Sequence, residues 1–280
     1  DAFVTDDQRY LVIFGADATS GNKLFIKDLK DPKAPLVTIL NDYSSDTSVI
    51  DVKGDKLYLF TNLNAPNGKV VVTDIKTPTP DHWKDLIPET ENVLDVITAG
   101  GYILAKYTVA ALTEVKQYDF TGKFIRDIKL PSIGVAGGFS AKENQKDTYF
   151  WFTNTCTPTS IYKLNLESGE TTQYWKPSIN FNSDEYESKQ VFYTSKDGTK
   201  VPMTITYKKT TKLDGTAPTL LYGYGGFNAI TYPYFGVSTA IWMNNGGVYA
   251  TANIRGGGEY GKKWHDAGTK FQKQNVFDDF

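Results

Sequence analysis

The sequence predicts a β-propeller over residues 1–182, followed by an α/β layer over residues 183–280. Two observations support the propeller: strand-like runs recur at a nearly constant interval, and turn residues lie between them. One observation supports the second region, in which strand-like and helix-like segments alternate. Such alternation is typical of a sheet covered by helices.

The first region contains a repeat. Strand-like runs end near Asp28, Asp74, Asp119 and Asn165, which by subtraction of their numbers lie 46, 45 and 46 residues apart. Each of these runs follows another β-rich run in the same period, and in three periods a further run trails it. Several short strands per period of about 45 residues are typical of a propeller blade.

Turn residues support the blades, because Pro66–Gly68, Thr121–Lys123 and Glu167–Gly169 lie where hairpins must reverse. The alternative is a β-sandwich with coincidental spacing, and three near-equal intervals argue against it. Four periods predict about four blades, at the lower end of the four to eight with which propellers close. The segment from Pro177 to Asp184 breaks the pattern and is predicted to be a linker.

The second region predicts four strands, at residues 189–194, 201–207, 219–222 and 247–253. The first two form a hairpin with Asp197 and Gly198 at its tip. Helical segments are expected over Tyr234–Asn244 and within Gly268–Phe280.

Composition excludes several classes of function. A net charge of −2 gives no reason to expect a nucleic-acid or membrane partner. The single cysteine, Cys156, is expected to be a buried apolar thiol. Two distant histidines and one cysteine offer no zinc-ligand spacing, so we expect no metal and no cofactor. The chain opens on Asp1 without a signal peptide, which predicts a processed or truncated start and leaves a periplasmic or cytoplasmic location open.

Two glycine-rich segments carry the functional prediction. Residues 220–228 end an apolar run in alternating glycines and aromatics, and residues 252–261 form a second such segment, closed by Trp264 and His265. Glycines let the backbone turn where a Cβ would clash, and tyrosine hydroxyls can donate hydrogen bonds. This pair of segments resembles the prolyl oligopeptidase family of serine peptidases.

The resemblance covers essentially all of residues 183–280, and over the propeller it rests mainly on the repeat. It implies about four blades of an expected seven, followed by the N-terminal part of an α/β-hydrolase domain. It also implies a serine endopeptidase that hydrolyses short peptides on the carboxyl side of proline, with the propeller restricting substrate size. The expected partner is an oligopeptide substrate containing proline.

The resemblance also assigns two site residues. Peptide hydrolysis develops negative charge on the carbonyl oxygen, and α/β-hydrolases place one donor for it in the loop after the third strand. By resemblance, Tyr224 supplies its hydroxyl to this oxyanion hole, and Phe227 lines the pocket for the proline ring. A flat apolar face suits a ring that has no N–H to satisfy.

The catalytic Ser, Asp and His of the family would lie beyond Phe280, so they are not in this chain. We therefore expect a truncated and inactive piece whose partner is the missing remainder of the same polypeptide. Gly236–Ala240 superficially resembles a nucleophile elbow around Ser238. Pro233 argues against the strand that such an elbow needs, and His265 directly before Asp266 has the wrong order for a triad.

The glycines at 256, 258 and 261 also satisfy G-x-G-x-x-G, a dinucleotide-binding pattern. The residues that follow, Lys262–Gly268, do not form the apolar helix that this pattern requires, so an architectural loop is favoured. Three further features are predicted to be structural, namely a local ion pair of Arg255 with Glu259, a solvated face at Asp278–Asp279, and a surface residue at His82.

Two alternative functions stay open at this point. An oligopeptidase that cleaves after basic residues would place carboxylates near the substrate, whereas the turn offers Phe227 and no acid before Glu259. A propeller binding module with a degenerate hydrolase remnant would predict a natural stop at Phe280.

Overall fold

Five four-stranded sheets make up the fold of the protein, as a computed structural model that describes residues 1–18 and 20–280. Four of the sheets are antiparallel meanders that follow one another along the chain, and the fifth is mixed. The structure therefore confirms four propeller blades followed by the start of an α/β-hydrolase domain. The boundary between residues 182 and 183 stays a prediction.

Each blade pairs its strands in sequence order. Blade 1 contains β1 (Ala2–Val4), β2 (Tyr10–Gly15), β3 (Lys23–Asp28) and β4 (Val37–Leu40). Blade 2 contains β5 (Thr47–Lys53), β6 (Lys56–Thr61), β7 (Lys69–Asp74) and β8 (Lys84–Ile87). Blade 3 contains β9 (Val93–Ala99), β10 (Tyr102–Val109), β11 (Leu112–Tyr118) and β12 (Phe124–Asp127). Blade 4 contains β13 (Val135–Gly138), β14 (Asp147–Asn154), β15 (Thr157–Asn165) and β16 (Thr171–Trp175).

The repeated Asp or Asn has one structural role in all four blades. Asp28, Asp74, Asp119 and Asn165 lie at the end of the third strand or directly after it. In each, a side-chain oxygen accepts a hydrogen bond from the backbone N–H two residues later, at 2.9, 2.8, 2.8 and 3.2 Å. This is an Asx turn, in which a short polar side chain substitutes for a backbone turn partner. The spacing of 45 or 46 residues therefore marks one hairpin position in successive blades.

Successive blades are joined by apolar clusters, one for each junction. Each cluster has fully buried members from two neighbouring blades: Val12 with Leu57, Val70 with Ile103, and Leu104 with Phe152. Burial of such a side chain contributes about 1.5–3 kcal/mol. The stability of this region therefore comes from stacking of similar sheets.

The fifth sheet carries the second region. Its elements are β17 (Tyr186–Thr194), β18 (Lys200–Lys208), β19 (Thr219–Tyr222), α1 (Val237–Asn244), β20 (Val248–Ala252), α2 (Lys262–Asp266) and α3 (Gln274–Asp279). Short 3-10 turns lie at Pro80–His82, Ser183–Glu185 and Lys270–Gln272. The strand order is β17-β18-β20-β19, with β18 antiparallel and β19 parallel to β20.

The helices differ in extent from the prediction. The helix expected from Tyr234 begins at Val237, because Gly236 in an extended conformation precedes its first turn. The segment from Gly268 to Phe280 forms a 3-10 turn and the short helix α3. None of the helices in the described ranges is long and apolar enough to cross a bilayer.

Candidate active-site loops

Two loops leave the same edge of the fifth sheet. Because β19 and β20 are parallel neighbours, their carboxyl ends lie side by side. The loop after β19, residues 223–236, is called the first loop here, and the loop after β20, residues 253–261, the second loop. Ligand sites of open α/β sheets lie outside the carboxyl ends of such strands. The two glycine-rich motifs are therefore adjacent at the position where a site is expected.

Glycine is required where the two loops touch. Gly225 has a φ of +60°, and a Cβ there would lie 2.6 Å from Ile254 Cγ1 and 2.8 Å from the carbonyl oxygen of Arg255. Gly256 has a φ of +88°, and its Cβ would lie 2.6 Å from the oxygen of Gly225. Both residues combine a left-handed backbone with contacts that leave no room for a side chain. The glycines therefore serve the packing of one loop on the other.

Tyr224 and Phe227 both face solvent. Tyr224 is 50% exposed and Phe227 is 89% exposed, so neither ring is packed into the interior. Phe227 and Asn228 each have a φ of +56°, in the left-handed region that non-glycine residues seldom adopt. Backbone strain of this kind is concentrated at ligand sites and persists only where the surroundings enforce it.

The predicted ion pair between Arg255 and Glu259 is wrong. The Arg255 guanidinium instead contacts Asp279, at 2.6 Å from Nη2 to Oδ1, and Asp197, at 2.5 Å from Nη1 to Oδ2. The hydrogen bond with Asp279 raises the pKa of Arg255, and the hydrogen bond with Arg255 lowers the pKa of Asp197. The arginine therefore joins the start of the second loop to the β17–β18 turn and to α3.

Asp279 is buried, so the prediction of a solvated face at Asp278–Asp279 is wrong for this residue. It is 1% exposed. Besides Arg255, its carboxylate accepts hydrogen bonds from the Ser195 hydroxyl at 2.6 Å and from the backbone N–H of Arg255 at 2.9 Å. A buried carboxylate is tolerated only with such partners. No local signal identified Asp197, Ser195 or Asp279 as one network, because the fold alone brings them together.

Glu259 ties the second loop to the first. Its Oε1 accepts hydrogen bonds from the backbone N–H of Thr231 at 3.0 Å and from Asn253 Nδ2 at 3.2 Å. Its Oε2 is buried without a hydrogen-bond partner among the described residues. Burial raises the pKa of Glu259, which favours the neutral acid. The residue therefore acts as a buried loop anchor.

The alternative motifs lack the surroundings that they need. Ser238 lies in the first turn of α1, which follows an irregular segment and not the strand required by a nucleophile elbow. The second loop leads into the five-residue helix α2, and a Cβ on Gly258 would lie 2.6 Å from the oxygen of Asn228. The close approach permitted by this glycine is therefore to the first loop.

Two smaller predictions are confirmed. Cys156 is buried, and desolvation raises the pKa of its thiol to about 11. It therefore stays a protonated apolar group near neutral pH. His82 lies in an exposed 3-10 turn of blade 2.

Comparison with known proteins gives matches over both regions. The family profile described as "Prolyl oligopeptidase, N-terminal beta-propeller domain" matches residues 1–177, and the profile described as "Prolyl oligopeptidase family" matches residues 233–280. A prolyl endopeptidase of Elizabethkingia meningoseptica is 55% identical over 279 residues, which is 100% of this chain and 39% of that protein.

Solved structures agree. A structure from a structural and mechanistic analysis of two prolyl endopeptidases superposes with a TM-score of 0.86 at 38% identity, covering 100% of this chain and 41% of that one. Prolyl oligopeptidase B from Galerina marginata, bound to a 35mer hydrolysis and macrocyclization substrate, superposes with a TM-score of 0.86 at 31% identity. The match covers 99% of this chain and 40% of that one. This chain thus spans about two fifths of the length of these relatives. The matches over both regions show that it belongs to the prolyl oligopeptidase family.

Proposed function

We propose that this chain is part of a serine endopeptidase that hydrolyses short peptides on the carboxyl side of proline. Family membership supports the proposal, as do the names of the similar proteins, although the chain spans only 39% of the Elizabethkingia relative. The observation that carries it is the exposure of Tyr224 and Phe227 on one loop at the carboxyl edge of the sheet.

Tyr224 is assigned to stabilise the oxyanion. Its side chain is half exposed, and Gly225, whose conformation excludes a side chain, fixes the backbone directly after it. A donor held in advance at the position where charge develops stabilises the transition state more than the substrate. The serine that attacks the carbonyl, with its histidine and aspartate, is assigned to residues outside this sequence.

Phe227 is assigned to bind the proline ring of the substrate. An 89% exposed phenylalanine on a strained backbone has little packing value of its own among the described residues. An apolar ring face gains contact area with a proline side chain, which carries no N–H. Glu259, the one acidic residue of the two loops, is buried and offers no exposed carboxylate to a basic side chain. This burial disfavours cleavage after basic residues.

The propeller, proposed to comprise residues 1–182, is assigned to limit the size of the substrate. We propose that it covers the site on the hydrolase region, residues 183–280, so that oligopeptides enter and folded proteins do not. The peptide bound to the Galerina marginata relative supports a peptide substrate.

The test is made on the full-length gene product with matched reporter peptides that carry proline or arginine before the scissile bond. Tyr224→Phe removes one oxyanion donor, and kcat is expected to fall by about 100- to 1,000-fold. Phe227→Ala is expected to raise KM for the proline reporter. Tyr174→Phe makes the same chemical change at an exposed tyrosine of blade 4 and is the control. Cleavage of the arginine reporter in preference to the proline reporter would contradict the proposal.

A further inference from the structure

Two side chains from outside both loops form hydrogen bonds with the backbone of the first loop. His265, on α2, places its Nδ1 3.0 Å from the backbone nitrogen of Asn228 and 2.8 Å from the carbonyl oxygen of Gly256. Lys273, which precedes α3, donates from Nζ to the carbonyl oxygen of Gly225 at 2.8 Å. Neither residue belongs to the ion-pair network of Arg255.

Each contact falls directly after a proposed site residue. Gly225 follows Tyr224, and Asn228 follows Phe227. The Asn228 N–H belongs to the peptide group that directly follows Phe227, so its hydrogen bond fixes the plane next to that side chain. The Gly225 carbonyl belongs to the peptide group between Gly225 and Gly226, so its hydrogen bond restrains the residue next to Tyr224. The two contacts therefore control the two ends of the segment that presents both rings.

This segment needs external support, because its backbone conformation is unfavourable. Gly225, Phe227 and Asn228 all have positive φ angles, and the last two carry a Cβ. Such conformations persist only where surrounding contacts enforce them. His265 and Lys273 supply such contacts at both ends of the strained stretch.

We propose that His265 and Lys273 are positioning residues, His265 for Phe227 and Lys273 for Tyr224. Their effect on catalysis rests on the proposed function, whereas their effect on the loop does not. The histidine holds the substrate-binding end of the segment, and the lysine holds the oxyanion end.

The histidine can act in either protonation state of its Nδ1. When Nδ1 carries no proton, it accepts the Asn228 N–H. When Nδ1 carries a proton, it donates to the Gly256 oxygen, which also lies 3.2 Å from the Asn228 nitrogen. Without the proton the ring therefore holds the first loop directly, whereas with the proton it holds the Gly256 oxygen of the second loop, which in turn accepts the Asn228 N–H.

This geometry selects the variants. An Asn side chain bears its polar atoms on Cγ, where His bears Nδ1, so His265→Asn retains a partner at the right distance. His265→Gln moves the polar atoms one bond further, to the place of Nε2. His265→Phe keeps the ring and removes the nitrogen. At the other end, Lys273→Arg keeps a donor, and Lys273→Met keeps a similar stem without one.

The first measurement is amide hydrogen exchange of the peptide spanning residues 225–230 in the full-length gene product. His265→Phe, His265→Gln and Lys273→Met are expected to exchange faster than the wild type, and His265→Asn and Lys273→Arg to stay close to it. Unchanged exchange in both His265→Phe and Lys273→Met overturns the proposal, whatever the protein hydrolyses. The matched Asn and Gln variants separate this effect from a general loss of folding, which would affect both.

The second measurement is steady-state hydrolysis of the proline reporter. His265→Phe is expected to act mainly on KM, and Lys273→Met mainly on kcat, with a loss of about 10- to 100-fold in kcat/KM for each. Equal effects of both variants on KM and kcat overturn the assigned roles. Faster exchange in a protein that hydrolyses no proline peptide supports the loop contacts and refutes the proposed function instead.

Discussion

The four blades and the α/β region are held together by different forces. The blades are stacked through apolar clusters, and their polar repeat residues make turns at the surface. In the α/β region, buried charged or ionisable groups at Arg255, Asp279 and Glu259 connect segments that lie far apart in the sequence. The comparison teaches that the scaffold is built from local, repeated interactions, whereas the candidate site depends on a few specific long-range ones.

The largest expected effect tests whether the apolar clusters stabilise the blades. Phe152→Ala removes a fully buried ring from the cluster between blades 3 and 4, and should cost about 3–5 kcal/mol of unfolding free energy. The matched control is Phe124→Ala at an exposed position of β12. Denaturant unfolding followed by circular dichroism measures both. An equal cost at the two positions would refute stacking as the source of blade stability.

The next effect tests whether the buried ion pairs of Arg255 stabilise the α/β region. Arg255→Met leaves the buried Asp279 carboxylate without its charged partner, which should cost about 3 kcal/mol. Lys262→Met breaks an exposed ion pair with Asp266 and should change stability little. The same unfolding measurement, with tryptophan fluorescence added, compares them. Similar midpoints for the two variants would show that the Arg255 network does not hold the α/β region.

A pair of glycines compares crowding in the two regions. Gly54 in blade 2 and Gly225 in the first loop have nearly the same φ, +61° and +60°. A Cβ on Gly54 meets nothing within 4 Å, whereas one on Gly225 meets three atoms at 2.6–2.8 Å. Gly225→Ala should therefore cost about 1–3 kcal/mol more than Gly54→Ala. A difference near zero in thermal unfolding would mean that the loops separate easily.

The smallest effect concerns pH. Because burial raises the pKa of Glu259 above its ordinary value of 4.5, the folded state holds this proton more tightly than the unfolded state. The contribution of Glu259 to the free energy of unfolding is therefore fully present at low pH. It is lost as the pH rises from about 4.5 through the pKa of Glu259 in the folded state. Glu259→Gln should remove this decline in a series of melting temperatures against pH.

The control for the pH series has the opposite sign. The pKa of Glu185 is lowered chiefly by its hydrogen bond with Lys208. Its contribution to the free energy of unfolding is therefore present above the ordinary pKa of 4.5, and it is lost as the pH falls through the pKa of Glu185 in the folded state. Glu185→Gln should therefore flatten the acid side of the curve. The same response from both variants would contradict the buried state of Glu259.

Some elements were missed at the level of sequence for identifiable reasons. The sequence did not predict the first strand of the outer two blades, since β1 has three residues and β13 contains two glycines. The helix α2 was missed because five residues show no helical period. Arg255 was assigned to the wrong acid because Glu259 is closer in sequence than either true partner. Local patterns identify hairpins well, but they do not show which distant charges meet.

The sequence by itself determined the blades and the place of the two glycine-rich loops after their strands, because Asx turns and alternating strands depend on residues only a few positions apart. Only the tertiary structure decided that Arg255 meets Asp279, 24 residues away, and Asp197, 58 residues away. It also decided that His265 and Lys273 reach the backbone of the first loop. Contacts of this kind form only after the sheet has placed its strand ends together, so no local preference encodes them.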